Sequence, residues 1–227
     1  LSWESLTKLE FQKKKNCGLL VVTGTGKLAA RILSNVLLGL LYSDQKARKS
    51  KFCKTVTVID LDSRRGIRYR DECLAETLAK ILPDRMSYYS KEQELKKDTP
   101  FEAVRKVISE IYNQYLHRKK GDSVENRIFL MIIGMENIKI MDGGSIIYDE
   151  WDENSTLGMV MRLIEDGAEY GIHMIVSTSD FALMRDVYGN GCEQKFAFRV
   201  AAGVGETLMK VLVSETRSKE FNENTGV

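Results

Sequence analysis

Short continuous apolar runs alternate along the chain with longer stretches in which apolar residues recur every three or four positions. Leu19–Thr23 (LLVVT) is an uninterrupted run of strand length, closed by Gly24-Thr25-Gly26. Across 28–42 the apolar positions Leu28, Ile32, Val36 and Leu40, joined by Leu33, Leu37 and Leu41, predict a helix buried on most of its faces. A basic connector with Lys46, Arg48, Lys49, Lys51 and Lys54 leads into 55–61 (TVTVIDL), a β-branched strand ending in acid. Helices are predicted over 71–82 and 99–120, the second with Thr99 as N-cap and Pro100 at the first helical position. Strands follow at 127–133 (RIFLMII), 172–178 (IHMIVST) and 195–200 (KFAFRV), with a polar stretch over 141–154 and a helix over 156–170. Strands apolar on both sides and separated by helices predict an α/β fold, a mainly parallel sheet covered on both faces. With no internal repeat, residues 1–227 read as one domain.

Composition narrows this picture without pointing to a function. The 227 residues carry 34 Lys+Arg against 32 Asp+Glu, a formal charge of +2. At 43% hydrophobic and 29% charged residues the chain excludes the disordered class. Its near-neutral charge removes any bulk electrostatic argument for nucleic acid or anionic membrane, leaving only a local patch open. Four cysteines contain no CxxC pair, and His117 and His173 lie near none of them in sequence, so reduced thiols are expected and a metal site is not. No apolar run is long enough to span a bilayer. The chain opens Leu1-Ser2-Trp3-Glu4, without Met or a signal-peptide pattern. The expectation is a cytoplasmic module excised from a longer chain, whose parent could be membrane-anchored elsewhere.

The densest chemistry is the turn Thr23-Gly24-Thr25-Gly26-Lys27-Leu28, between a buried strand and a buried helix. Such a junction offers backbone N–H groups and the positive helix end to an anion. Three readings apply. As a P-loop (G-x-x-x-x-G-K-[ST]), Gly26 and Lys27 fit, but Val21 stands at the leading glycine and Leu28 at the magnesium-binding hydroxyl. Leucine offers no oxygen to a hard cation, so nucleotide would bind weakly and metal-assisted turnover would suffer. As a dinucleotide fingerprint, Gly24, Gly26 and Ala29 fit, and Asp60 would sit on a ribose. Asp60 lies 36 residues beyond Gly24, against roughly 20 in that fold. The third reading is a tight strand-to-helix turn and nothing more.

Two later segments bear on this choice: Gly171-Ile172-His173 opening an apolar strand, and Phe196-Ala197-Phe198-Arg199-Val200 after it. Together with the Gly-Lys turn and the order of strands, they resemble the motor domain of the FtsK/SpoIIIE family, within the FtsK–HerA P-loop superfamily. The resemblance spans roughly residues 15–213. It implies a RecA-like P-loop fold binding ATP, as a ring homo-oligomer subunit or as one of several ATPase modules in one chain. The implied cargo is double-stranded DNA or, in the type VII secretion motors of this superfamily, a secreted protein.

Against the family pattern, the catalytic positions are altered together. Where an apolar strand should end in Asp-Glu, this chain has Gly134-Met135. Glu136 comes one place late and would face away if the strand continued, or inward if the chain turned at Gly134. Ser177-Thr178-Ser179 replaces the Ala-Thr-Gln sensor, and Ser179 is too short to reach a γ-phosphate as glutamine does. Ala168, Glu169 and Tyr170 occupy the place of an arginine that acts on a neighbouring subunit; Arg162 is the nearest substitute. Losing magnesium ligation and water activation costs many orders of magnitude in rate, so the implied module is a degenerate ATPase. Glu136 and Ser179 remain the catalytic candidates; Thr23 to Leu28 remain the nucleotide candidates. His173, on a buried strand, reads as a packed, hydrogen-bonded residue. The acidic run 149–153 and the basic connector read as exposed loops, with phosphate-backbone contact as the second reading of the connector.

Overall fold

The computed structural model describes residues 10–42, 55–62, 68–69, 72–121, 126–142 and 155–212. The basic connector and the acidic run lie outside them. Leu19–Thr23 forms β1 and Gly26–Tyr42 forms α1; Thr55–Asp60 is β2, and Arg68–Tyr69 and Glu72–Cys73 pair as a two-residue ribbon, β3 and β4. Leu74–Ile81 is α2, Met86–Ser90 β5, Lys91–Glu94 α3 and Glu102–Lys119 α4. Ile128–Ile133 is β6, Thr156–Asp166 α5, Ile172–Thr178 β7, Phe181–Tyr188 α6, Phe198–Ala202 β8 and Glu206–Leu212 α7.

Six strands form one sheet in the order β5-β2-β6-β7-β1-β8, every neighbouring pair parallel. Burial explains why its central strands read as unbroken apolar runs: every residue of β1, β6 and β7 is buried. Alternate residues serve two cores. Leu19, Val21, Val56, Val58, Phe129, Met131 and Ile175 pack beneath α1 and α2 with Leu33 and Leu37. Leu20, Val22, Leu130, Ile132, Met174 and Val176 face α4, α5 and α6 with Ile108, Val160 and Met184. Helix starts follow capping chemistry: Thr25 Oγ1 accepts the Leu28 N–H (3.4 Å), Ser155 the Gly158 N–H (2.9 Å) and Asp180 the Leu183 N–H (2.9 Å).

Four expectations need correction. The helix predicted over 71–82 begins at Leu74, because Glu72–Cys73 is drawn into antiparallel pairing with Arg68–Tyr69. The helix predicted from Thr99-Pro100 begins at Glu102, because Phe101 takes a left-handed φ of 61° to bury its ring in the core and so breaks the helix before it. Thr99 instead donates its hydroxyl to Glu102 (2.5 Å). The last strand runs 198–202 rather than 195–200, because 192–195 winds as a 3-10 turn and pairing with β1 starts only at Leu19–Phe198. The helix predicted over 156–170 ends at Asp166 and tightens to 3-10 geometry over 167–170. The edge strand β5, the ribbon β3–β4 and the short helices α3 and α7 carry no clear sequence period; α6 does, with Phe181, Met184, Val187 and Tyr188 at three-and-four spacing, and stands outside the predicted elements.

Candidate functional site

At the carboxyl edge of a parallel sheet strand ends and helix starts converge, and ligands of such sheets bind there. Along this edge lie the turn after β1, Ser179 after β7, Gly134 and Glu136 after β6, Asp60 at the end of β2 and Gly203 after β8.

The glycine turn is shorter than a phosphate loop. Val21 and Val22, loop residues in the P-loop frame, are strand here, paired on one side with Ser177 and Thr178 and on the other with Val200 and Ala201. Thr23 still pairs with Ala202, so only Gly24 and Thr25 separate β1 from α1. A Cβ built on Gly24 would stand 1.8 Å from the Gly203 carbonyl oxygen, so any side chain there would drive two backbones apart. Part of the donor set is already used: the Gly24 N–H bonds the Ala202 carbonyl (3.0 Å), and the Leu28 N–H bonds Thr25 Oγ1. Gly26 and Lys27 form the first turn of α1, where the helix dipole favours an anion; of Lys27 the backbone position alone is described. Leu28, at the magnesium-ligand position, packs toward the β8 turn, its Cδ1 2.8 Å from where a Gly203 Cβ would be.

After β6 the chain turns at Gly134. Its φ is +72°, and a Cβ there would meet the Asp62 backbone nitrogen at 2.9 Å and Cα at 3.1 Å. The turn is pinned by the Gly134 N–H to the Ser177 carbonyl (3.0 Å) and runs into a 3-10 helix over Met135–Asp142. Met135 is buried in the core, while Glu136 swings back over the sheet edge. Its Oε1 accepts both the Ser179 N–H (3.2 Å) and the Ser179 hydroxyl (3.0 Å). The two catalytic candidates from the sequence are thus brought together as each other's partners. Glu136 is only 5% exposed, and its Oε2 has no partner among the described residues, nor has the buried Thr23 hydroxyl. Beneath them Tyr188, fully buried, bonds the Met135 carbonyl (3.3 Å). Burial, then the neighbouring Glu136 charge, push its phenol well above the ordinary tyrosine pKa.

Does this edge suit a nucleotide with magnesium? A hard cation in the P-loop frame needs a hydroxyl from α1 and a carboxylate from the end of β6. Leu28 and Gly134 supply neither. Asp60 is the buried carboxylate nearest in the sheet, but it lies on β2, three strand spacings from β1, about 14 Å. It is engaged locally as well, accepting from the Tyr88 hydroxyl (3.2 Å) and the Asp62 N–H (3.1 Å). The same separation overturns the dinucleotide reading, which needs the second strand beside the first so that its acid reaches the ribose. Among the described residues no cluster of His, Cys, Asp or Glu could hold a metal ion. Nor, among them, is any helix long and apolar enough to cross a membrane.

The remaining sequence candidates stand elsewhere. His173 lies near the opposite end of β7, fully buried, stacked on Phe129 with centroids 5.3 Å apart. Its Nδ1–H donates to the Cys17 carbonyl (3.2 Å). Burial, with smaller help from Arg127 and Lys13, pushes its pKa down to about 4, so the ring is neutral, as a packing residue should be. Arg162 is half-exposed and pairs along its own helix with Glu165 (3.8 Å). The sequence reading missed Arg118, a buried guanidinium on α4. The signal was present: Val104, Ile108, Ile111, Tyr115 and Arg118 follow the three-and-four spacing of that helix's inner face.

No protein-family model matches the sequence, and no curated protein matches it. Solved structures do. The pCW3 conjugation coupling protein TcpA, in its monomer form with ATPγS, superposes with a TM-score of 0.57 at 15% identity, over 92% of this chain and 55% of that one. Thermomonospora curvata EccC (ATPases 2 and 3), in complex with a signal sequence peptide, superposes at 0.50 with 12% identity, over 91% of this chain and 34% of that one. This chain therefore spans about half of the first and a third of the second. At such identities the likeness is one of fold: a RecA-like α/β P-loop fold, the architecture that the FtsK/SpoIIIE resemblance implied.

Proposed function

We propose that this chain is a catalytically degenerate ATPase module of an FtsK/SpoIIIE-type translocation motor, binding ATP weakly at Thr23 to Leu28 and turning it over poorly or not at all. The observation that carries the reading is the end of β6. A left-handed glycine occupies the place of the magnesium-positioning acid, and the carboxylate that follows two residues later, Glu136, is engaged through one oxygen by Ser179. Leu28 and the shortened turn point the same way. Such a module serves a motor by packing against active modules, in the same chain or in a ring, and by transmitting or limiting their nucleotide cycle.

Double-stranded DNA is the first cargo reading, following the division and sporulation motors of this superfamily. A secreted protein is the second, favoured by the likeness to EccC, a chain in which one such module is a third of the described length. The test is steady-state phosphate release with magnesium-ATP, with and without double-stranded DNA. Background rates in both arms, unchanged by Lys27→Ala, support the proposal. Turnover of about 1–100 s⁻¹, typical of working phosphoryl-transfer enzymes, that disappears in Lys27→Ala would overturn it. Fluorescence anisotropy with a labelled DNA duplex and with a labelled secretion-signal peptide separates the two cargo readings.

A further inference from the structure

At the opposite edge of the sheet from the glycine turn, α4 carries Arg118 into the interior with 7% of its surface exposed. Its Nη1 donates to the Tyr170 carbonyl (2.8 Å). Its Nε and Nη2 have no partner among the described residues, and neither has the buried Oδ1 of Asn126. Both residues line a cavity of about 220 Å³ between α4 and the first residues of β2, β5 and β6, with Thr57, Ser87 and Ile111 in its wall. Glu110 stands at its exposed mouth.

Among the described residues these two buried guanidinium donors meet no acceptor, and leaving them so is expensive, because their desolvation is not offset. The unpaired pair is informative in itself: Nε and Nη2 form one edge of the guanidinium, spaced to take the two oxygens of a carboxylate or phosphate side by side. Ser87 donates its hydroxyl to Thr57 (3.3 Å), which leaves the Thr57 proton to be donated in turn. The cavity has room for several waters, at roughly 30 Å³ each, and so for a small anion with its remaining hydration, but it is below the usual size of a nucleotide pocket. Burial also pushes the Arg118 pKa below that of an ordinary guanidinium, a penalty that a bound anion would reverse.

We infer that this cavity is a binding site for a small oxyanion of the carboxylate or phosphate type, held side-on by the Nε and Nη2 edge of Arg118. The site lies near Thr55 and Ile128, where β2 and β6 begin, whereas the glycine turn lies where the strands end. It is therefore not a subsite of the nucleotide edge and does not depend on the ATPase reading.

Thermal unfolding of the whole chain, titrated with sodium phosphate and separately with sodium acetate against sodium chloride at constant ionic strength, tests the inference. The expected result is a saturable rise in Tm with at least one oxyanion, lost in Arg118→Gln and retained in Lys27→Ala. The two arms identify which oxyanion chemistry is preferred. No saturable rise beyond chloride, a rise that survives Arg118→Gln, or one abolished by Lys27→Ala would overturn it. Should Arg118→Gln fail to fold, the surface variant Glu110→Lys decides: reversing the charge at the mouth should tighten anion affinity at least threefold, and an unchanged affinity refutes the site.

Discussion

Restoring the missing acid at the end of β6 should damage the protein rather than revive it. In Gly134→Ala and Gly134→Asp an L-residue is forced to keep a φ of +72°, a conformation costing about 1–2 kcal/mol. The new Cβ would also stand 2.9 Å from the Asp62 nitrogen and 3.1 Å from its Cα and Cβ, two of which are backbone atoms that cannot rotate away. Overpacking of this kind costs about 1–3 kcal/mol. Together the two effects predict a loss of about 2–5 kcal/mol, a large share of the roughly 5–15 kcal/mol that holds a typical domain folded. Gly134→Asp should lose more than Gly134→Ala, because it adds a carboxylate beside Asp62 and close to Glu136. Urea denaturation of the three proteins gives the differences directly. The Asp variant should show no magnesium-dependent ATP turnover, since Leu28 still offers the metal no oxygen. An Ala variant within about 0.5 kcal/mol of the parent, or an Asp variant more stable than the Ala one, would refute the reasoning.

Other consequences can be checked with the same methods. Gly24→Ala should cost about 2–4 kcal/mol, from overpacking against the Gly203 carbonyl and the strained Gly24–Ala202 hydrogen bond; a loss below about 1 kcal/mol would show that the two turns are not packed back to back. His173 gives a pH signature whose sign is fixed by its depressed pKa. Above pH 6.5 the residue is neutral in both states and contributes no pH dependence. As the pH falls from 6.5 toward 4 the unfolded chain takes up the proton first, so stability falls, reaching a deficit of about 3 kcal/mol. His173→Phe should remove that component of the acid sensitivity, and an identical pH slope in both proteins would place the ring elsewhere than in a buried, neutral site. Ser179→Ala removes one of the two hydrogen bonds to the buried Glu136 and should cost about 1–2 kcal/mol by urea denaturation, whereas a solvated Glu136 would make it neutral.

What the sequence revealed follows from burial. The strands β1, β2, β6 and β7 occupy the middle of the sheet and must be apolar on both faces, so each stood out as a continuous run. The edge strands lack that constraint: β5 is the polar MSYYS, half-buried at its centre, and β8 alternates exposure along KFAFRV closely enough to place its start three residues early. The site was legible as residue types and not as geometry. That Glu136 meets Ser179 depends on the handedness of Gly134, one glycine among 17, and no local pattern separates a left-handed glycine from any other. That Gly24 is walled in by Gly203 depends on β8 docking beside β1, a contact between segments far apart in the chain. Arg118 sat in a basic helix end, His117-Arg118-Lys119-Lys120, whose charge concealed its place on the inner stripe.

At the centre of the proposed function stands a glycine-turn edge that binds ATP without using magnesium. Isothermal calorimetry of ATP binding to the parent protein and to Lys27→Ala, each with magnesium and with EDTA, measures this without depending on assembly or cargo. The expected result is weak ATP affinity that Lys27→Ala weakens further and that magnesium alters by no more than a few fold. An affinity tenfold or more tighter with magnesium, lost in Lys27→Ala, would contradict it.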